Sequence, residues 1–208
     1  MNKKMPFVSV IMNCHNGEEF LREAIDSVYL QTYSNWEIIF FDNASNDSSK
    51  KIVNSYNKKI KYYYVEKKIP LGDARNQAIL KANGVYISFL DCDDKYFSNK
   101  LLMQVVEMQR HNANMCYGSA KYINNFSDVI GRRKVKDNVG KLLPKLLINY
   151  NINMQTVMIE KSFLSSFNLN FDRSLSFSPD YDLFMEIALI GKTISLKNYL
   201  SSYRLHAQ

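Results

Sequence analysis

Two apolar rhythms alternate through the first half of the chain. Near-continuous apolar runs at residues 7–12, 36–41, 61–65 and 85–90 predict strands covered on both faces, where no polar alternation is needed. Between them, residues 18–31, 47–56 and 72–83 carry apolar side chains at helical spacing; Phe20, Leu21, Ala24, Ile25, Val28 and Tyr29 mark the first. Residues 99–111 predict a fourth helix. Ser45, Asn46 or Asp47 is expected to cap the second helix, and Gly84 to follow the third as its C′ residue. This alternation predicts an α/β fold: a mostly parallel central sheet with helices on both faces. Ligands of such sheets bind beyond the carboxyl ends of the strands. Polar residues gather at those ends: Asn13, His15 and Asn16, then Asp42 and Asn43, then Asp91 to Asp94.

The second half is less regular. Residues 115–122 and 153–159 read as strands, 140–149 and 180–190 as helices, 194–203 as extended chain, and 124–138 as a polar loop or hairpin. No repeat, linker or shift of composition divides the chain, so residues 1–208 are expected to form one domain.

Composition narrows the classes. The 208 residues suffice for one sizeable core, and 46% hydrophobic with 23% charged residues fits a folded globular chain. A net charge of +7 suits a face for a nucleotide or anionic polymer, a face for anionic lipid headgroups, or a solvated lysine-rich surface. The basic residues are scattered without interleaved aromatics, so no nucleic-acid partner is expected. Three cysteines (Cys14, Cys92 and Cys116) with no CxxC pair argue against a disulfide framework or zinc knuckle and point to a reducing compartment. The apolar run at 7–12 is too short for a signal peptide or a membrane span. A cytoplasmic protein is expected, with room for peripheral contact on the cytoplasmic face of the inner membrane.

The acidic clusters carry the chemistry. Residues 89–94 read Phe-Leu-Asp-Cys-Asp-Asp. Two carboxylates one residue apart, just past a buried strand, can meet one cation, and oxygen donors of this kind suit Mg²⁺ or Mn²⁺ bridging phosphates. A helix N-terminus accounts for acidic residues too; Asp94 is expected to serve there, with Ser98 as the next cap. Asp42 either accepts a hydrogen bond from a base or ribose or belongs to an ordinary strand-to-helix turn. Arg75, early in the third helix, pairs with a phosphate or with Asp73. Asp180 and Asp182 open a helix whose dipole favours an ionised carboxylate; facing a pocket it is a general base, elsewhere a cap.

In order and spacing, Val-Ser-Val-Ile-Met-Asn-Cys-His-Asn at 8–16, Glu-Ile-Ile-Phe-Phe-Asp-Asn-Ala-Ser at 37–45, Leu-Gly-Asp-Ala-Arg-Asn at 71–76, Phe-Leu-Asp-Cys-Asp-Asp at 89–94 and Asp-Tyr-Asp-Leu-Phe at 180–184 resemble the family 2 glycosyltransferases of the GT-A fold, from about residue 7 to 206. The resemblance implies an inverting, metal-dependent hexosyltransferase. It would move a sugar from a nucleotide-diphosphate donor to a hydroxyl of a glycan or lipid-linked acceptor, as in bacterial polysaccharide assembly. It places Asn13, His15 and Asn16 on the nucleotide, Arg75 on the diphosphate, Asp91 on ribose or metal, and Asp93 on Mn²⁺ or Mg²⁺. Asp180 becomes the catalytic base, Asp182 an acceptor-site residue, and His206 of Tyr203-Arg-Leu-His206 a neighbour of metal or diphosphate. Asp42 and Asn43 stand where the family has two consecutive Asp, one of them reading the base. The Asn43 carbonyl suits the N3–H of uracil and its amide suits N3 of cytosine; uridine is the favoured base. Pro179 replaces a Glu common before the base. Alternatives are a haloacid-dehalogenase-like phosphatase, though its Asp-x-Asp belongs on a first strand, and a catalytically silent nucleotide-sugar-binding module. A nucleotidyltransferase lacks support, because no Gly-rich, Lys-containing loop follows the first strand.

Overall fold

The structure, a computed structural model, describes residues 5–175 and 178–206. In chain order the elements are β1 (Val8–Cys14), α1 (Leu21–Tyr29), β2 (Trp36–Asn43), α2 (Ser49–Val53), β3 (Ile60–Val65), α3 (Leu71–Lys81), β4 (Tyr86–Phe89), β5 (Lys95–Tyr96) and α4 (Lys100–His111). There follow β6 (Met115–Ile123), β7 (Val129–Arg133), β8 (Asn138–Gly140), α5 (Leu143–Ile148), β9 (Met158–Glu160), α6 (Lys161–Ser166), α7 (Pro179–Ile190) and β10 (Thr193–Arg204).

The strands form one sheet in the order β3-β2-β1-β4-β9-β6-β10-β5, with β7 on β6 and β8 on β10. Strands β3, β2, β1, β4, β6 and β10 all run one way, and the short β9 and β5 run against them. Side chains alternate across β1. Val8, Val10 and Met12 pack on one face with Leu21 and Ile25 of α1 and Leu101 and Val105 of α4. Ile11 packs on the other with Ala74 and Ala78 of α3 and Leu183 and Phe184 of α7. Helices thus cover both faces, as the continuous apolar strands require.

Several local expectations change. Residues 153–159 split into a single 3-10 turn at Met154–Thr156 and the short β9. The Asn153 carbonyl draws the turn tight by accepting from Thr156 N and Oγ1. The polar segment 124–138 keeps the expected hairpin in part, as β7 folding back on β6. The helix predicted at 140–149 shrinks to α5, and Gly140 ends β8 instead. Gly84 is not a helix C′ residue, since α3 ends at Lys81 and Ala82 is already extended. Its role is close approach: a Cβ there would come within 2.4 Å of Ser9 N, and Gly84 N donates to Ser9 Oγ at 2.8 Å.

The first residue of α4 is a buried lysine. Lys100 Nζ donates to Ser88 Oγ at 2.6 Å and Gln104 Oε1 at 2.7 Å, and it lies 4.1 Å from the centre of the Tyr96 ring. Burial lowers its pKa from the ordinary 10.5 to about 7. Between those values the unfolded chain binds a proton that the folded chain lacks, so stability rises with pH across that window and levels off outside it. Lys100→Met is expected to flatten this slope, measured as urea midpoints at pH 7 and pH 9.5; an unchanged slope would assign it to other groups.

Candidate active site

The carboxyl ends of the co-directional strands open onto a cleft of about 920 Å³, lined among others by Arg75, Asp91, Arg133, Tyr150, Gln155, Asp180 and Tyr203. The turns after β1 and β2 lie at the same carboxyl edge of the sheet. Asn13 is buried in β1, and its Nδ2 has no partner among the described residues. His15 Nδ1 lies 2.9 Å from the Asn43 carbonyl. Asn16 takes a left-handed φ of 56°; its N–H donates to Ser45 Oγ and its Oδ1 accepts from Asn46 N. Two of the three predicted nucleotide residues, the exposed His15 and Asn16, therefore knit these turns together.

Asp42 and Asn43 part company. Asp42 is buried and accepts from Ser45 N at 2.8 Å and from the Tyr62 hydroxyl at 2.6 Å. Burial and the Asp42 charge push the Tyr62 phenol upward, so it stays a donor. The expectation that the Asn43 amide faces the base is not met. Its Oδ1 accepts from Ile69 N at 2.9 Å and its Nδ2 donates to Ile69 O at 2.8 Å. One amide matches one peptide unit, donor to acceptor twice, which an ionised Asp cannot do. Asn43 therefore pins the segment leading into α3.

The acidic end of β4 is sorted by partner. Asp91 Oδ1 lies 3.4 Å from Arg75 Nη2, and Asp91 Oδ2 accepts from Gln155 Nε2 at 2.7 Å. Desolvation pushes the Asp91 carboxyl up, and the Arg75 charge opposes this. Arg75 is buried and stands 5.5 Å from the centre of the Phe171 ring. Asp93 Oδ2 meets His206 Nε2 at 2.8 Å, and both side chains remain partly open to solvent. Asp94 turns inward and is no helix cap. It is 1% exposed, its Oδ1 accepts from Arg204 N at 2.6 Å, and Asn99 is the residue that precedes α4. Burial holds the Asp94 carboxyl well above the usual range, and the charges of Asp91 and Asp93 add to this.

Arg204 is the hub beneath this acidic loop. Its side chain is fully buried. Nε donates to Asp93 O at 2.9 Å, Nη1 to Asn124 O at 2.8 Å and Asn125 O at 3.2 Å, and Nη2 to Glu23 Oε2 at 3.2 Å. The guanidinium carbon lies 4.0 Å from the centre of the Phe20 ring. Sequence reasoning passed over it, although an Arg within the apolar end of β10, two residues before His206, was the available signal.

Across the cleft, Asp180 sits in the first turn of α7 and makes no hydrogen bond or ion pair among the described residues. Asp182, predicted for the acceptor, does not line the cleft among the described residues. Arg133, Tyr150, Gln155 and Tyr203 do line it and were not foreseen. Tyr150 packs on Tyr181, with ring centres 4.7 Å apart, and burial beside Asp180 pushes its phenol up. Among the described residues no three His, Cys, Asp or Glu side chains converge as a ready metal cage. Asp93 and His206 still offer one oxygen and one nitrogen donor, both partly open to solvent. This fits a divalent cation that takes its other ligands from phosphate and water.

Co-directional strand ends meet at a cleft that Asp91, Arg75 and Asp180 share, an arrangement of the GT-A glycosyltransferase type. The family model described as glycosyl transferase family 2 matches residues 9–177. This chain belongs to that family, which removes the phosphatase alternative. The Escherichia coli UDP-Glc:alpha-D-GlcNAc-diphosphoundecaprenol beta-1,3-glucosyltransferase WfgD is 35% identical over 205 residues, which are 95% of this chain and 77% of that protein. An uncharacterized glycosyltransferase of Rickettsia typhi is 30% identical over 216 residues, covering 99% of this chain and 66% of the relative. In structure, Staphylococcus aureus TarS 1–349 in complex with UDP-GlcNAc superposes with a TM-score of 0.82 at 21% identity, over 97% of this chain and 59% of that one. The chain thus spans about two thirds to three quarters of these two relatives, and less of TarS. No helix among the described residues is long and apolar enough to cross a membrane.

Proposed function

We propose that this chain transfers a hexosyl group, with inversion, from a UDP-sugar to a hydroxyl of a glycan or lipid-linked acceptor, with Mn²⁺ or Mg²⁺ as cofactor. The observation that carries it is the Asp180 carboxylate, without a hydrogen-bond partner among the described residues and lining the same cleft as the Asp91–Arg75 pair. Asp180 takes the proton of the acceptor hydroxyl, which then attacks the anomeric carbon from the face opposite the nucleotide. Asp93 and His206 would hold the cation, which when bound offsets charge on the departing diphosphate. Arg75 adds a second positive charge at the diphosphate, and Gln155 keeps Asp91 turned toward it. Asn13 Nδ2 is a buried donor available to the nucleotide. Asp42, bonded by Tyr62 and Ser45, has lone pairs left for uracil or ribose. The name of WfgD supports both a UDP-linked donor and a lipid-diphosphate acceptor. A cytoplasmic chain resting on the inner membrane suits such an acceptor. α5 supports this by exposing Leu147 and Ile148 near Lys141 and Lys145.

Calorimetric titration with UDP-glucose and UDP-GlcNAc tests the reading. Binding is expected with Mn²⁺ and to weaken at least about tenfold in EDTA, the scale of one lost charge-assisted contact. Equal affinity in EDTA would remove the metal role of Asp93. Binding with neither hydrolysis nor transfer would leave a silent nucleotide-sugar module.

A further inference from the structure

Two of the three thiols meet under the metal loop. Cys14 ends β1, and Cys92 lies between Asp91 and Asp93. Ile11 pairs with Phe89 in the parallel β1–β4 ladder, and Leu90 N donates to Ile11 O at 3.0 Å. The ladder ends there, and the chain turns through Asp91 to Asp94, with Asp94 N donating to Asp91 O at 3.2 Å. This turn brings the two sulfurs together. A Cβ on Gly17 would lie 2.7 Å from Cys92 Sγ and 2.8 Å from Cys14 Sγ, so the missing side chain of Gly17 is what lets the thiols share this space. Cys14 Sγ also donates to Ser49 Oγ at 3.6 Å. Cys14 is buried and Cys92 partly open, so a small oxidant reaches the pair from one side. Cys116 is fully buried in β6 and takes no part.

We propose that Cys14 and Cys92 are a redox-modifiable dithiol, which hydrogen peroxide closes to a disulfide that weakens donor binding. One sulfur attacks a peroxide oxygen; the O–O bond breaks, leaving a sulfenic acid and, with the thiol proton, one water. The second sulfur displaces the sulfenic oxygen as another water. Two thiols and one peroxide thus become one disulfide and two waters. The S–S bond contracts to about 2.05 Å and draws Cys92 toward β1. Asp91 and Asp93 flank Cys92 and are held from elsewhere by Arg75, Gln155, His206 and Arg204, so they cannot all follow without losing partners. The effect on affinity rests on the donor-site reading above; the disulfide itself does not.

The test uses the full chain, reduced and then exposed to hydrogen peroxide. Expected are a 2 Da mass loss (two hydrogens), a non-reducing peptide map joining the Cys14 and Cys92 peptides, and a fall in UDP affinity with Mn²⁺ of about tenfold or more, reversed by dithiothreitol. Cys14→Ser and Cys92→Ser should each abolish the link, and Cys116→Ser should keep it. Absence of the link, or a link involving Cys116, overturns the dithiol. A link that leaves UDP affinity unchanged overturns the switch. If the reduced chain binds no UDP, the donor-site reading fails while the map still decides the dithiol.

Discussion

Asp180→Asn should lower the transfer rate by about 10²–10⁴-fold, the usual contribution of a positioned general base, while UDP-sugar affinity changes little. The amide keeps the shape and the place in the first turn of α7 but cannot take a proton. Asp93 and His206 contact each other and not Asp180. Comparing kcat with calorimetric donor affinity separates the roles: a loss of both together would make Asp180 a donor residue, and unchanged turnover would remove it as the base. Asp182→Asn, outside the described cleft, should leave turnover nearly intact.

Arg204→Met should cost both stability and metal-dependent binding. The carbonyls of Asp93, Asn124 and Asn125 would lose their buried donor, and each stranded acceptor costs about 1–3 kcal/mol. A loss of about 3 kcal/mol or more in urea unfolding is expected. Arg204→Lys should recover part of it, because one ammonium can serve some of the carbonyls but not the planar fork. The telling readout is the Mn²⁺ concentration that half-saturates UDP binding. It should rise in Arg204→Lys even where that variant is folded, because Arg204 anchors the backbone of Asp93 and lies in the strand that delivers His206. An unchanged Mn²⁺ requirement would reduce Arg204 to a structural residue.

The N-terminal half was readable because each of its strands is a long apolar run and each helix between them keeps one spacing. β5, β8 and β9 hold two or three residues apiece, too few to show any period. Their places are set by partners remote in sequence; Tyr96, for example, pairs with Ser201. Among the candidate residues, Asp91 and Asp93 stand out in the sequence because they follow the apolar run of β4, and Arg75 and Asp180 because each lies in the first turns of a helix. Asn43 misled because its two bonds go to Ile69, which no local pattern reveals. Asp94 misled because its partner is the backbone of Arg204, at the far end of the chain. Gln155 sits in a 3-10 turn that an apolar count takes for a strand.

The sheet order leaves β3 as an outer strand, paired with β2 alone among the described residues. Such a strand offers unpaired peptide groups to any other extended chain, an invitation to fibre-like association. Here Lys58 and Lys59 stand before it, Lys61 within it, and Lys67 and Lys68 after it, all exposed. A second copy approaching edge to edge would bring like charges together. Part of the +7 charge therefore serves colloidal solubility, and replacing these lysines with apolar residues should show first as concentration-dependent light scattering, before any loss of sugar transfer.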